Sequence, residues 1–402
     1  MTQIKQKIRV AAGVLNQTAL DGRGNADRIK SVITDARAKG CQVLCLPELC
    51  LTGYGCEDMF LSLSFLKSAL DQVGEIAKET AGMLVCVGLP VQYENDTYNA
   101  VAVLVDGQLV GIVGKQNLAR DGLHYEPRWF RPWPAGKTAV LQVGDAQVPM
   151  GDLVFSVGGL RVGFEICEDA WVEDRPLGRL VRRGVQLVLN PSASHFAFGK
   201  SKKRQELILA AAGYPGIGYV YSNLLGNEAG RAIYDGDAYL ASDGKILKSG
   251  TRFSYRESQL TIADLEFGYP ESQVHRSNLE PDVHCPDIRW NAMGKDLVLS
   301  DVDPGKVLNE LKEEEFCRAI ALGLFDYVRK SQSQGVVISL SGGADSAAVA
   351  CLSCLMLEFA RNELGVEHLV QRLGFLPLDR PGDSGSPDAL KTLKNRMICT
   401  AY

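Results

Sequence analysis

The feature that most constrains the fold is a repeated alternation of short apolar runs with amphipathic segments over residues 7–267. Residues 7–15 and 43–46 have the apolar character of β-strands. The segment between them predicts a helix over 25–39, because apolar side chains recur with helical spacing at Ile29, Val32, Ile33 and Ala36. Because strands and helices continue to alternate up to residue 267, the sequence predicts an α/β domain.

One cysteine lies where a predicted strand ends. Residues 162–166 alternate apolar with small or charged side chains, so they predict a strand that delivers Cys167 to the following turn. A single cysteine is most often a buried packing residue. An apolar core position would not be surrounded by carboxylates, however, and this one has three near it in sequence, Glu165, Glu168 and Asp169. We therefore consider Cys167 a candidate nucleophile.

Two further ionisable residues also follow predicted strands. Glu48 comes after the strand at 43–46, and Lys115 comes after an apolar strand at 108–113. Each, taken alone, is more often a solvated charge or a helix cap. Together with Cys167 they have the chemistry for covalent amide hydrolysis: a thiolate attacks the carbonyl carbon, a carboxylate serves as general base, and an ammonium stabilises the oxyanion.

A glycine-rich loop follows another predicted strand, at 335–340. The loop reads Ser-Gly-Gly-Ala-Asp-Ser over 341–346, and a helix is predicted from Ala347. Glycines allow close approach of the backbone to a ligand, and the N–H groups at a helix N-terminus favour phosphate oxygens. An ordinary glycine-rich turn is the alternative. The Gly-Lys-Ser/Thr ending of the usual mononucleotide P-loop is not present in this segment.

Composition narrows the class of protein. The net charge is -5 and no basic cluster with interleaved aromatic residues occurs, so we expect no nucleic-acid partner. No apolar run is long enough to span a bilayer. The N-terminus lacks the apolar core of a signal peptide, so we expect no membrane partner and a cytoplasmic protein with reduced thiols. The five histidines are scattered, and we predict no metal site made by the protein. Cys351 and Cys354 lie in an apolar helical run, and we interpret them as core packing.

Three motifs in residues 7–267 resemble the nitrilase superfamily in order and context: Pro47-Glu48-Leu49, Gly114-Lys115, and the run 164–169 around Cys167. The resemblance implies a four-layer α-β-β-α sandwich with a Glu-Lys-Cys catalytic triad. Glu126 matches a further carboxylate that this superfamily places near the thiol, and the resemblance implies a catalytic role for it. In glutamine-using members, the positions that contact the substrate match Tyr54, Glu168, Ser194 and Lys200. Asp121 stands where such enzymes often have a tyrosine, so we include it among the substrate-binding candidates.

The glycine-rich loop resembles the Ser-Gly-Gly-x-Asp-Ser loop of ATP pyrophosphatases. That resemblance implies ATP binding by Ser339, Leu340, Ser341, Gly342, Gly343, Ala344, Asp345 and Ser346. Magnesium is expected with ATP, because it offsets the charge of the phosphates. The loop also implies that the sandwich is followed by the start of a Rossmann-like adenine nucleotide α-hydrolase domain.

The combination of the two halves resembles the glutamine-dependent NAD synthetase family. The resemblance implies a ligase without a prosthetic group. Its partners would be L-glutamine, ATP and deamido-NAD, the last being amidated to NAD with release of AMP and pyrophosphate. It also implies a homo-oligomer. Residues 281–287 and 290–291 resemble the connecting region of that family.

The sequence predicts three segments: a glutaminase domain at 1–268, a linker or extended arm at 269–301, and an incomplete synthetase domain at 302–402. The last contains a predicted helix with Phe316, Ile320, Leu324 and Val328 on one face. Because family members have a longer synthetase domain, we expect a fragment or truncated product that hydrolyses glutamine weakly and does not make NAD alone. A stand-alone amidase and a non-catalytic assembly subunit remain alternatives.

Overall fold

The computed structural model describes residues 5–228, 230–268, 282–285, 287–291, 311–374 and 389–401. Its α-helices are α1 Gly22–Ala38, α2 Leu63–Ala77, α3 Glu126–Trp129, α4 Leu177–Arg182, α5 Lys200–Ala212, α6 Lys312–Lys330, α7 Ala344–Leu373 and α8 Ala389–Met397. Two short 3₁₀ segments cover Glu57–Leu61 and Cys167–Ala170.

The strands begin with β1 Lys5–Leu15, β2 Val43–Cys45, β3 Leu84–Tyr93, β4 Asp96–Val105, β5 Gln108–Gly114, β6 Thr138–Val143 and β7 Ala146–Gly151. The middle of the chain supplies β8 Phe155–Val157, β9 Leu160–Phe164, β10 Leu187–Ser192, β11 Gly218–Asn223, β12 Leu225–Asn227, β13 Ile233–Asp235, β14 Ala238–Ser242, β15 Lys245–Ser249 and β16 Ser258–Gly268. The last strands are β17 Val283–Cys285, β18 Val336–Ser339 and β19 Ile398–Ala401.

Two large sheets form the body of the protein. One has the strand order β16-β1-β2-β3-β4-β5-β7-β6, and the other has the order β15-β14-β11-β10-β9-β8-β17. Each sheet contains parallel pairs at its centre, β1 with β2 and β2 with β3 in the first, and β9 with β10 and β10 with β11 in the second. Parallel strands end at the same edge of a sheet, which is where α/β proteins assemble their sites.

The alternation of side chains along β1 explains how the layers stack. Val10 and Val14 join a core between the two sheets, together with Phe164 and Val220 of the second sheet. Ala11, one residue along, faces the opposite side and packs in the core beneath α1 and α2. A third core packs α4 and α5 on the outer face of the second sheet. The predicted α-β-β-α sandwich is therefore confirmed.

The C-terminal part starts a second α/β unit. Strands β18 and β19 pair in parallel, and α7 follows β18 directly after the glycine-rich loop. A parallel pair separated by a helix is the unit from which Rossmann-like sheets are built. Helix α7 is kinked at Gly365, where φ is 76°.

Several predictions differ from the structure in detail. The buried face of α6 contains Ala319, Leu322, Phe325 and Asp326 as well as the predicted Val328, whereas Phe316 is 43% exposed, so the predicted apolar face is only in part the one that packs. Cys351 is exposed on α7, so its assignment to core packing is wrong. Residues 283–285 of the predicted arm form β17, which pairs in parallel with β8 at the edge of the second sheet.

Some predictions fall outside the described residues. Of the predicted arm at 269–301, the structure describes 282–285 and 287–291 alone, so Pro281 and Pro286 of the connecting-region motif lie outside them. The predicted domain boundaries remain predictions. Among the described helices, none is both long enough and apolar enough to cross a membrane.

Candidate active site

Three of the four candidate catalytic residues follow the C-terminal ends of strands in the two sheets. Glu48 lies three residues after β2, and Lys115 directly follows β5 in the first sheet. Cys167 lies three residues after β9 in the second sheet, at the start of the 3₁₀ turn. All three side chains are buried, so the two sheets bring an acid, an amine and a thiol together in the interior.

Lys115 bridges two carboxylates. Its Nζ donates to Glu48 Oε1 at 2.5 Å and to Glu126 Oε1 at 2.7 Å. Asn99 Nδ2 also donates to Glu48 Oε1 at 2.7 Å. Burial lowers the pKa of Lys115, but Glu126 and Glu48 outweigh it and hold the pKa well above its usual range. Lys115 is therefore a fixed ammonium, as oxyanion stabilisation requires.

Cys167 has the backbone of a strained site residue. Its φ is 46°, in the left-handed region that non-glycine residues rarely adopt. The Ala193 N–H donates to Glu48 Oε2 at 2.9 Å, and the same backbone group acts to lower the pKa of Cys167. Burial, followed by Glu48, raises the pKa of the Cys167 thiol, and Lys115 opposes them. The resting thiol is therefore protonated and needs a base, and Glu48, whose charge acts on the thiol, is placed to serve as one.

Glu48 reaches this position because the preceding loop lies against a glycine. A Cβ on Gly88 of β3 would lie 2.3 Å from the Leu49 nitrogen and 2.5 Å from the Pro47 oxygen. Both distances are far below van der Waals contact, so only glycine admits the backbone around Glu48. Burial raises the pKa of Glu48, an effect that Lys115 partly offsets, which makes the carboxylate a stronger base.

Asp169, which our sequence reasoning did not assign to the site, ties the cysteine turn to the lysine loop. Its Oδ1 accepts from the backbone N–H groups of Gln116 and Asn117 at 3.1 and 2.7 Å. Its Oδ2 accepts from the Ile166 N–H at 2.9 Å. One carboxylate thus fixes the residues that flank Lys115 and Cys167. The acidic cluster after Cys167 was the available signal for it.

The predicted substrate-binding residues occupy different environments. Tyr54 donates to Glu126 Oε1 at 2.7 Å and borders a cavity of about 300 Å³. Lys200 lies 5.7 Å from the centre of the Trp171 ring, and burial, followed by Arg204, lowers its pKa to about 8. Burial raises the pKa of Glu168, which is half-buried, and Asp121 interacts with it electrostatically. Asp121 itself is exposed.

Ser194 is held by a buried charge network that the sequence did not predict. Arg204 Nη2 donates to Ser194 O at 2.9 Å and to Ser194 Oγ at 3.1 Å. Its Nη1 donates to Asp235 Oδ2 and Asp237 Oδ2, each at 2.6 Å. Arg252 adds a second cation 3.3 Å from Asp235 Oδ2 and reaches Glu315 of α6 at 2.5 Å. A line of five charges therefore runs from the site loop to the C-terminal part of the chain.

The glycine-rich loop is exposed and open to a ligand. Gly342 has φ 79°, a value that favours glycine, and Gly343 caps α7. Ser346 Oγ donates to the Gly343 carbonyl at 3.1 Å and lies 3.3 Å from Ser341 Oγ. The Leu340 N–H donates to the Ala401 carbonyl at 2.7 Å, which joins the loop to β19.

Comparisons with known proteins agree with this division into two parts. The carbon–nitrogen hydrolase family model matches residues 9–272, more than half of the chain. This chain belongs to the carbon–nitrogen hydrolase family. A second model, NAD synthase, matches residues 316–369.

Similarity to known proteins extends beyond the carbon–nitrogen hydrolase domain and covers nearly all of this chain. The glutamine-dependent NAD(+) synthetase of Mus musculus is 31% identical over 99% of this chain and 57% of its own length. The crystal structure of a glutamine-dependent NAD(+) synthetase from Cytophaga hutchinsonii is 37% identical, with a TM-score of 0.83 over 99% of this chain and 60% of that one. The glutamine-dependent NAD+ synthetase from Acinetobacter baumannii, solved with ADP, shares 20% identity and the fold, at a TM-score of 0.65. The chain spans 57% to 65% of the length of these relatives.

Helix α6 packs against the carbon–nitrogen hydrolase domain through polar as well as apolar groups. Asp326 Oδ2 accepts from Asn16 Nδ2 and from the Asn227 N–H, both at 2.9 Å. Lys330 Nζ donates at 2.6 Å to Asn16 Oδ1, to the Gln17 carbonyl and to the Asn227 carbonyl. The helix is thus anchored to the loop after β1 and to the last residue of β12.

Proposed function

We propose that this carbon–nitrogen hydrolase cleaves the side-chain amide of L-glutamine at Cys167 and that the ammonia serves an ATP-dependent amidation of deamido-NAD. The first half is carried by the buried cluster of Glu48, Lys115 and Cys167 around the Ala193 N–H. The second half rests on the glycine-rich loop with the two residues before it, 339–346, and on the relatives, whose names state glutamine-dependent NAD synthesis.

In the proposed first step, Glu48 removes the thiol proton as the Cys167 sulfur attacks the amide carbon. The raised pKa of Glu48 suits this transfer because it makes the carboxylate a stronger base, and the raised pKa of Cys167 makes such a base necessary. The carbonyl oxygen becomes an oxyanion, and the Lys115 ammonium lies in the same cluster to stabilise it. The protonated Glu48 then returns its proton to the leaving nitrogen, ammonia departs, and a thioester remains.

Water completes the cycle. The Glu48 carboxylate takes a proton from water, which attacks the thioester carbon and forms a second oxyanion beside Lys115. Collapse of this intermediate releases glutamate, and Glu48 returns its proton to the sulfur to restore the thiol. Lys200 and Glu168 carry opposite charges near the thiol, so they would bind the α-carboxylate and the α-ammonium of the substrate, respectively.

The ATP half uses backbone as well as side chains. The N–H groups around Gly342 and Gly343 at the start of α7 would hold the phosphates. Asp345 and the hydroxyls of Ser341 and Ser346 are oxygen ligands of the kind that Mg²⁺ prefers, so they fit an ion that neutralises the phosphates of bound ATP. The carboxylate of deamido-NAD would be activated by adenylation, and ammonia would then displace AMP. We propose that the protein works in the cytoplasm as a homo-oligomer.

The cysteine assignment is tested by measuring glutamate release from glutamine by Cys167→Ala. We expect loss of activity, because the sulfur is the nucleophile. We expect an unchanged melting temperature, because the smaller Ala side chain fits in the space that Cys occupies. Cys351→Ala, at an exposed cysteine of α7, is the control and should keep full activity. Equal activity of Cys167→Ala and the unmodified protein would refute the cysteine assignment, and no glutamate release by either protein would favour the non-catalytic assembly subunit.

The coupling is tested by adding ATP and deamido-NAD to the glutaminase assay. A change in the rate of glutamate release favours the coupled enzyme, whereas an indifferent rate favours a stand-alone amidase. Gly343→Val should abolish ATP binding in calorimetry, because a branched side chain would fill the space where the phosphates approach the backbone. Gly74→Ala, on α2 where no atom lies within 4 Å of a new Cβ, should bind ATP normally.

A further inference from the structure

Two histidines form a hydrogen-bonded chain that ends on the carboxylate beside Lys115. The His195 and His124 rings face each other, with 2.8 Å between His195 Nδ1 and His124 Nε2. His124 Nδ1 lies 2.9 Å from the Tyr54 hydroxyl, which donates to Glu126 Oε1 at 2.7 Å. The catalytic steps above use neither histidine, although His124 is among the residues that border the 300 Å³ cavity.

The partners of Glu126 fix the direction of this chain. Glu126 Oε1 accepts from Lys115 as well as from Tyr54, and Oε2 accepts from the Ala119 N–H at 2.9 Å. All three partners are donors, so the single proton of the Tyr54 hydroxyl lies in the hydrogen bond to Glu126. The hydroxyl oxygen must then accept from His124, which places the His124 proton on Nδ1. A neutral imidazole carries one N–H, so His124 Nε2 accepts from the Nδ1–H of His195 at 2.8 Å, a closer contact than the 3.4 Å between that Nδ1 and Lys200 Nζ.

The surroundings keep both rings neutral. Burial is the main cause that lowers the pKa of His124 to about 3, and the neighbouring His195 is the second. Lys200 and Lys115 act in the same direction. Burial, followed by Lys200 and Arg204, lowers the pKa of His195 to about 4, against a small opposing effect of Asp235. Burial and Glu126 raise the pKa of Tyr54, so the hydroxyl keeps its proton. The order of donors is therefore the same throughout the neutral pH range.

We propose that His124 and His195 are positioning residues for amide hydrolysis, because they hold the Tyr54 hydroxyl as a donor to Glu126. Glu126 in turn fixes the Lys115 ammonium at the place where the oxyanion forms. This inference rests on the hydrolytic half of the proposed function. Loss of the chain would leave the Tyr54 hydroxyl free to rotate away from Glu126. Lys115 would then be less well placed in the transition state, and kcat would fall more than KM would rise.

The first test compares two substitutions of His124 that differ in the donor. The side-chain nitrogen of His124→Asn can occupy the place of Nδ1 and donate to Tyr54, although Asn is smaller than the ring. His124→Leu replaces more of the ring volume but has no donor. We expect His124→Leu to lower kcat for glutamine about tenfold, the worth of one net hydrogen bond, with KM changed less than twofold. His124→Asn should keep at least a third of kcat, and His368→Leu, at an exposed position of α7, should match the unmodified protein.

A double variant shows whether His124 acts through Tyr54. If it does, adding His124→Leu to Tyr54→Phe should cost no further activity, because the hydroxyl that His124 orients is already gone. The proposal would be overturned if the double variant lost kcat by the product of the two single losses. Equal kcat values for His124→Asn and His124→Leu would also overturn it. If the His124 variants do not fold, the pair His195→Asn and His195→Leu provides the same comparison one link further from Glu126.

A second measurement separates this inference from the proposed substrate. Alkylation of Cys167 by iodoacetamide, followed on its peptide by mass spectrometry, needs no glutamine and depends on the Lys115 charge near the thiol. We expect slower alkylation in His124→Leu than in His124→Asn. If the unmodified protein does not hydrolyse glutamine but this ranking holds, the proposed substrate is wrong and the positioning chain stands. Equal alkylation rates together with equal kcat values would remove the chain.

Discussion

The buried charge network around Arg204 gives the most quantitative prediction. Arg204 has no exposed side-chain surface and makes two hydrogen bonds of 2.6 Å to Asp235 and Asp237, which are themselves buried. In Arg204→Met both carboxylates remain, with Arg252 as the nearby cation at 3.3 and 3.5 Å. Removing one partner of a buried ion pair costs about 3–5 kcal/mol of unfolding free energy. In a domain of this size that corresponds to a fall in melting temperature of roughly 6–20 °C.

The sign of the pH dependence follows from Asp237. Burial, followed by Asp235, raises the pKa of Asp237, and Arg204 opposes this effect. Without Arg204 the folded variant would hold a proton on Asp237 that the unfolded chain releases near its ordinary pKa. Because the folded state then binds more protons, the stability of the variant falls as pH rises. Urea unfolding of Arg204→Met should therefore show a smaller loss at pH 5 than at pH 8.

Two variants make this prediction refutable. Arg204→Met combined with Asp237→Asn restores the net charge of the network and should recover at least half of the lost stability. Arg128→Met removes an exposed pair with Asp58, 2.7 Å apart, and should change stability little, as is usual for surface pairs. A loss below about 1 kcal/mol for Arg204→Met, or an equal loss at pH 5 and pH 8, would contradict the reasoning.

Two further predictions concern the pocket and the glycine beneath Glu48. Because the pKa of Lys200 is lowered to about 8, kcat/KM for glutamine should decline as pH rises through 8. Lys200→Arg should move that decline to higher pH, because arginine keeps its charge. An identical pH profile in the two proteins would exclude Lys200 from substrate binding. Gly88→Ala should lower stability by about 1–3 kcal/mol and reduce kcat, because the new Cβ pushes on the backbone around Glu48, whereas Gly74→Ala on α2 should stabilise by about 0.5–1 kcal/mol. Thermal melts and glutamate release check both glycine variants, and normal kcat in Gly88→Ala would refute the packing argument.

The sequence predicted the placement of the reactive groups because each follows a strand. The spacing of apolar residues in the sequence located strands β2, β5 and β9. The polar residues that follow these strands became candidates for the active site. Their convergence depends on two sheets facing each other, which no local pattern contains. The resemblance to the nitrilase superfamily supplied that link, and the buried contacts between Lys115, Glu48 and Glu126 agree with it. Their catalytic roles remain predictions until the variants are measured.

Two parts of the structure could not be obtained from the sequence for physical reasons. The packed face of α6 includes Asp326 and Lys330, which a search for apolar periodicity discards although both side chains are almost fully buried. The partners of Arg204 lie 31 and 33 residues away, on strands whose register sets the geometry. Buried polar groups are specified by their partners, and a single sequence does not identify those partners.

The anchoring of α6 determines where this polypeptide can be divided. A piece ending at residue 268 would retain Glu48, Lys115 and Cys167. It would lose the Lys330 amine, which donates to two oxygens of the loop after β1 and to one at the end of β12. It would also uncover the apolar surface now beneath Leu322 and Phe325, which favours self-association. A shorter polypeptide that contains the carbon–nitrogen hydrolase domain by itself should therefore extend through residue 333, so that α6 continues to bury this surface.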